Sequence, residues 1–431
     1  MRPILPLETL KFSDQYSLLD GQKQILKNII EWKEDPPIVQ TGRSSFIVFT
    51  DDSHPFKSVK IKGCGYFDIN ENKRSQPSTV EGYDTYMQNA PDGIKEIHYQ
   101  IEIDEKDEPF YSIPKKRPYG AQLFEKAQME YEVNEFLLKN WKNDLKDFPF
   151  YFPVGFGKYK DLSYKNDPLG VTLLGMPMQS EKHLGAYFEG NFEDKGLRIN
   201  PSLVSYWQKH VAVTGKQTPD YFDLLSTLKI LCKKFGEGLS YLHEHFVDFD
   251  SHFFNASVDN ESGKVLLFDF DHIFKSSEIS DQKYFYLMLK DFEIGLVAIL
   301  SNLLLSGLVE GFILFKDLNE SMDDYNIPEG FFEGYFGKLS KEQKQHVKSL
   351  WHRVCLFAIN NLLPANKRQH IHLAYNFCEK ERNNSYIEIY PLLKEKIIKS
   401  RPRFKLESEK HKDIIERFLN KRKELEKLHN M

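Results

Sequence analysis

Cysteine is scarce: the four thiols among 431 residues, Cys64, Cys232, Cys355 and Cys378, lie far apart and in no metal-ligand spacing. That argues against a disulfide-stapled framework or a cysteine-based zinc site and fits a reducing compartment. Excess positive charge is missing too. A net charge of −5 gives no reason to expect nucleic-acid binding by bulk electrostatics. The opening residues, "MRPILPLETLKFSDQ", lack the apolar core of a signal peptide. There is no internal repeat and no low-complexity tract. Long apolar runs are rare, and the longest, "IGLVAILSNLLLSGLVEGFILF" (294–315), is interrupted by Asn302 and Glu310. A buried helix broken near Gly307 is expected there, not a membrane span. These absences point to a soluble cytoplasmic protein, or one delivered to a host cytosol if it is an effector.

What is present is an aromatic-rich globular composition, 41% hydrophobic and 28% charged, with 34 Phe. Helical spacing covers 18–33, with Leu26, Ile29 and Ile30 on one face. Short β-branched runs follow, "PPIVQ", "FIVF" and "KSVKIKG", separated by the turns "TGRSS" and "TDDSHPF". Residues 66–117 are polar and rich in Gly, Pro, Asn and Asp, with one strand-like piece, "EIHYQIEI", and read as an insertion. A helix is expected over 121–141, then two strands in "FPVGFGKY" and "GVTLLGMP". From about 200 the pattern is helical: 221–245, 287–305, 341–362 and 411–428, with one strand signal around "KVLLFDF". The expectation is an α+β chain: an N-terminal helical extension (1–37), a strand-rich part (38–177), a helical part (178–390) and a basic C-terminal extension (391–431). In the last, 391–412 carries eight Lys or Arg against three Glu and reads as a solvated basic surface.

The chemistry-bearing stretch is "YLHEHFVDFDSHFFNASVDNESGKVLLFDFDHIFK" (241–275). Asp250 is followed five positions later by Asn255, and Asp269 comes fourteen after that. A lone Asp-x-Asp near a helix end also fits a cap or a solvated turn. Further on, "KDFEIGLVAIL" sets Asp291 and Gly295 in an apolar helix, where Asp291 also fits an N-cap. Upstream, "VKIKGCG" offers Lys62 at a strand end, with Lys60 sharing its side-chain parity. Gly63 and Gly65 favour Lys62, because they permit close backbone approach. On the 121–141 helix, Glu130, Glu132 and Glu135 all qualify to face that lysine.

This set resembles the protein-kinase-like superfamily, whose pattern is H-R-D-x-x-x-x-N, a hairpin, then D-F-G. Here Asp248-Phe249-Asp250 stands for His-Arg-Asp, and Asp269-Phe270-Asp271 for Asp-Phe-Gly. The form Asp250-x-His252-x-x-Asn255 is closer to the D-x-H-x-x-N loop of small-molecule kinases and aminoglycoside phosphotransferases. "KGCG" and "MEYEVNEFL" look like the lysine and glutamate regions of the selenoprotein O family, which transfers AMP, and that likeness picks Glu130.

The resemblance implies a two-lobed kinase-like fold, with a small antiparallel-sheet N-lobe and a helical C-lobe, that binds ATP with Mg²⁺ or Mn²⁺. Asp250 would take or orient the acceptor hydroxyl's proton and His252 would sit beside the transferring phosphate. Asn255 and Asp269 would hold the metal, and Lys62, paired with Glu130, would grip the α- and β-phosphates. "TGRSS" has one Gly where kinases carry three; Arg43 and Ser44 would reach the phosphates there, unless it is a plain hairpin turn. "LLGMPM" would present Met176 and Met178 to adenine. Nineteen residues separate Asp271 from Asp291, and no A-P-E triplet occurs, so the acceptor is a small molecule or an unusually docked protein. Phosphoryl transfer is the expectation, because the selenoprotein O family lacks an acid where this chain has Asp250. AMP transfer and a nucleotide-binding pseudokinase scaffold are the alternatives.

Overall fold

The computed structural model describes residues 4–16, 18–35, 38–39, 42–49, 54–68, 73–75, 100–104, 109–112, 120–189, 191–193, 196–198, 200–213, 216–315, 321–365 and 367–401, with 416, 417, 420 and 424. It is a mixed α and β structure with an antiparallel sheet. The chain forms two compact units, one comprising Met1–Ser180 and Asp269–His272 with the last residues, the other Glu181–Phe268 and Ile273–Asn420.

In the first unit, strand β1 (Leu7–Phe12) and helix α1 (Asp20–Ile30) precede β2 (Ile38–Val39), β3 (Gly42–Val48) and β4 (Ser58–Asp68). Then come β5 (Lys73–Ser75), the hairpin β6–β7 (Gln100–Ile103, Pro109–Ser112) and β8 (Gln122–Leu123). Helix α2 (Phe124–Asn140), β9 (Phe152–Tyr164) and β10 (Asp167–Met176) complete it. The sheet order is β1-β9-β10-β4-β3-β2, with β5 extending from β4 and β8 pairing β10. The stretch expected to be an insertion therefore begins inside the sheet: β4 runs on to Asp68, and Tyr66 to Asp68 pair with β5. Helix α2 starts at Phe124, not 121, because Gln122 and Leu123 are drawn into a ladder with Gly170 and Leu169. Period-2 alternation on β4 buries Val59 and Ile61 on one face and puts Ser58, Lys60 and Lys62 on the other.

In the second unit, the hairpin β11–β12 (Asn191–Glu193, Gly196–Arg198) leads to helices α3 (Pro201–His210) and α4 (Tyr221–His245). Then come β13 (Phe246–Val247), β14 (Ala256–Asp259), β15 (Lys264–Leu267) and β16 (Phe274–Lys275). Helices α5 (Asp281–Leu305), α6 (Leu308–Phe315), α7 (Ile327–Phe336), α8 (Lys341–Phe357), α9 (Lys367–Glu388) and α10 (Tyr390–Ser400) follow. A capping box starts α4: the Asp220 carboxylate accepts from Asp223 N, and Asp223 returns the bond to Asp220 N, each at 2.9 Å. Helix α4 crosses α7 backbone to backbone, because a Cβ at Gly334 would lie 1.9 Å from the Lys233 carbonyl oxygen.

Several sequence expectations change here. Helix α5 begins at Asp281, six residues before 287, because Ser280 caps it by accepting from Lys283 N at 3.0 Å. Asp291 is therefore not an N-cap but a mid-helix residue. The helix expected over 341–362 turns π-helical from Ala358 to Leu362, where Leu363 N reaches back to Ala358 O at 3.0 Å. The basic stretch after 390 is not simply solvated: α10 buries Leu392, Leu393 and Ile397. The helix expected at 411–428 lies almost wholly outside the described residues.

The apolar run breaks at Gly307 (φ 71) as anticipated. No single helix among the described residues is long and apolar enough to cross a membrane, and α5 with Leu308–Leu314 reaches that composition only across a 57° bend. Glu310 on α6 is 4% exposed, with both carboxylate oxygens lacking a hydrogen bond. The His370 ring is beside it, with Nε2 3.2 Å away, but that nitrogen donates to Leu304 O at 2.8 Å. Burial pushes the Glu310 carboxyl up to about 7, above its unfolded value of 4.5. A raised carboxyl destabilises the fold as pH rises, since the unfolded chain ionises first. Stability should fall between pH 4.5 and 7 by up to about 3 kcal/mol. Urea unfolding across that range should show this loss, and Glu310→Gln should abolish it.

Candidate functional site

Two clusters gather the residues singled out by the sequence, one in each unit. In the first, Lys62 extends from β4 into a ring of acids. Its ammonium lies 3.1 Å from Glu130 Oε2 on α2, hydrogen-bonds Asp269 Oδ1, and sits 3.9 Å from Asp271 Oδ2. Burial alone would lower the Lys62 pKa, but Asp269, Glu130 and Asp271 outweigh it and hold the ammonium well above its usual range. Glu130 is 1% exposed, and burial raises its carboxyl despite the nearby ammonium. Among the three candidate acids it alone meets Lys62: Glu132 accepts from Gln128, and Glu135 pairs with Lys139. Lys60, the competing lysine, lies 5.7 Å from the Tyr151 ring centroid.

Asp269 lies beyond the end of β15, not on it, in the left-handed region (φ 76). The following Phe270 is fully buried and meets Phe150 edge-on at 5.8 Å, which fixes the turn carrying both acids. His272 Nδ1 is 2.8 Å from Asp271 Oδ1.

The glycines after Lys62 permit close backbone approach, and what approaches is the protein's own chain. Gly63 has φ 91, and a Cβ there would lie 2.5 Å from Gly170 O and 2.9 Å from Gln122 Cβ. Gly65 N donates to Gly120 O at 3.0 Å. Both glycines admit the Gly120–Leu123 segment against β4.

Ser44 sits directly across the ladder from Lys62, and Arg43 is also on β3, though its side chain lies outside the described residues. Met176 and Met178 are buried, and their carbonyls are already engaged: Met176 O accepts from Lys57 N at 2.8 Å, Met178 O from Ser58 Oγ at 2.5 Å.

In the second unit the Asp248–Asn255 loop is organised by one carboxylate. Asp291 accepts from the backbone N–H groups of Asp248, Phe249 and Asp250 at 2.8, 2.9 and 3.1 Å, with His243 Nε2 at 3.1 Å. Ser251 Oγ donates to the Asp291 carbonyl. His243 is fully buried, and burial lowers its pKa; its Nδ1 faces Tyr335 Oη at 2.6 Å. Both Asp248 (φ 71) and Asp250 (φ 58) take left-handed conformations, strained for non-glycine residues. Asn255 Nδ2 donates to Asp250 O at 2.9 Å, which orients the amide. His252 Nδ1 accepts from Phe254 N at 3.2 Å, so the ring proton is on Nε2, 3.5 Å from Asp250 Oδ2.

Lys290, which the sequence reading passed over, pairs with Asp248 Oδ1 at 2.7 Å. Burial would lower its pKa, but Asp248, then Asp250 and Asp291, raise it well above the usual range. A sequence signal existed: a lone cation in the apolar run "YFYLMLKDFEIGL" needs a buried partner. Gln122 and Thr172, which bond behind Glu130, carry no such local signal.

Among the described residues no three His, Cys, Asp or Glu side chains gather as an ion-holding group. The donors still suit Mg²⁺. It commonly takes one or two protein oxygens beside phosphate and water, and the first cluster sets three carboxylates against one ammonium.

Lys290→Ala should leave Asp248 buried and unpaired, costing about 3 kcal/mol in urea unfolding. Lys290→Ala with Asp248→Ala should cost clearly less than the sum of the single changes. No protein-family model and no curated protein matches the chain, so its functional reading rests on these two clusters.

Proposed function

We propose that the chain is an ATP- and Mg²⁺-dependent phosphotransferase with a two-lobed, protein-kinase-like fold, acting on a hydroxyl of a small molecule or a protein. The observation that carries this reading is the buried Lys62–Glu130–Asp269 cluster. Its members come from positions 68 and 207 residues away from Lys62, and they match the lysine, helix acid and metal-binding acid of that superfamily. A fully buried ammonium ringed by acids is costly as structure alone and useful where phosphates arrive.

Lys62, held by Glu130, binds the α- and β-phosphate oxygens. Asp269 would hold the divalent ion, which would neutralise phosphate charge. Asp250 accepts the proton of the acceptor hydroxyl, with His252 beside it. The acceptor oxygen bonds to the γ-phosphorus, the bond to the β–γ bridging oxygen breaks, and ADP leaves with that electron pair. The three N–H bonds to Asp291 keep Asp250 in its left-handed conformation ready for this step.

Incubation with γ-labelled or α-labelled ATP and Mg²⁺ or Mn²⁺ tests the reading. Transfer of the γ-label, lost on the order of 100-fold in Asp269→Ala and Lys62→Met, is the expected result. Transfer of the α-label would mean AMP transfer. No transfer of either label with a retained Mg·ATP thermal shift would mean a nucleotide-binding scaffold.

A further inference from the structure

Glu130 is asked to do something difficult. It is 1% exposed and shares one ammonium with Asp269 and Asp271, so Lys62 cannot satisfy it alone. A carboxylate in such surroundings needs further donors, or it rotates away or takes up a proton. The additional donor is Gln122. Its Nε2 lies 2.8 Å from the same Oε2 that meets Lys62.

The amide is itself fixed from behind. Thr172 Oγ1 on β10 donates to Gln122 Oε1 at 2.8 Å. Since a carboxylate only accepts, the amide cannot be flipped: its nitrogen must face Glu130 and its oxygen Thr172. Gln122 and Thr172 are 4% and 0% exposed, so water does not take over either bond. The backbone is arranged around this side chain too. Gly63, next to Lys62, is where a Cβ would strike Gln122 Cβ, and Gln122 is held in place by its ladder to Gly170.

We propose that Gln122 is a positioning residue that holds the Glu130 carboxylate, and through it the Lys62 ammonium, in the geometry that receives a nucleotide's phosphates; this rests on the phosphotransferase reading. The residue touches no phosphate. It acts through Glu130, with Thr172 setting its amide and Gly63 giving it room.

The test uses the full chain with Gln122→Met, Glu130→Gln and the two combined, at temperatures below each variant's melting point. The first readout needs no nucleotide: the rate at which an amine-reactive ester labels Lys62, followed by peptide mass spectrometry. Gln122→Met should label severalfold faster than wild type, Glu130→Gln likewise, and the double variant no faster than the quicker single one. The second readout is Mg·ATP: about tenfold weaker binding in Gln122→Met, seen as a raised KM with a smaller change in kcat. Thr172→Val, which keeps the shape and loses the hydroxyl, should shift both readouts the same way by less, and it stands in if Gln122→Met does not fold.

Unchanged Lys62 labelling in a folded Gln122→Met, or effects that add in the double variant, would overturn the proposal. Should wild type bind no Mg·ATP while the labelling pattern holds, the phosphotransferase reading fails and the positioning role stands.

Discussion

One ammonium, that of Lys62, holds the first unit's polar interior together. Three carboxylates face it, brought by two elements: α2 carries Glu130, and the turn after β15 carries Asp269 and Asp271. At short range in a poorly screened interior, attraction between unlike charges is strong, but so is repulsion among the acids. The sum is a cluster with too much negative charge for its surroundings. The neutral donor Gln122 lessens that imbalance without adding another charge.

The second unit solves a different problem by a related device. Its loop must hold two non-glycine residues at positive φ, each costing on the order of 1–2 kcal/mol. Asp291 offsets this by collecting three consecutive N–H groups on one carboxylate. Charge-assisted bonds are about twice as strong as neutral ones, so the arrangement can carry that strain. Lys290 adds a fixed cation beside Asp248, and His252 a ring proton beside Asp250. The loop is thus shaped by the α5 helix beneath it.

The parts legible in the sequence were those with a local pattern. Strand alternation located β4, β9 and β10, and the Asp250–Asn255–Asp269 spacing drew attention to the loop and to the turn. Glu130 could be preferred over its neighbours only through a family likeness, because helical spacing leaves Glu132 and Glu135 equally eligible. Harder to read were features made by distant partners. Gly63 was legible as a point of close backbone approach, but not what approaches it: the segment carrying Gln122, whose partners Glu130 and Thr172 lie 8 and 50 residues away. The start of α5 was missed because "DQKYFY" has no apolar period of its own; Ser280 supplies the start signal one residue earlier. Buried α10 was hidden by charge: three Lys and a Glu are interleaved with its apolar residues, while Leu392, Leu393 and Ile397 carry the packing.

The bond from Gly65 N to Gly120 O joins two points that the chain separates by more than fifty residues. The middle of β4 and the approach to β8 are pinned to each other by backbone alone. Two stretches of backbone far apart in sequence thus brace each other beside Lys62 and Gln122.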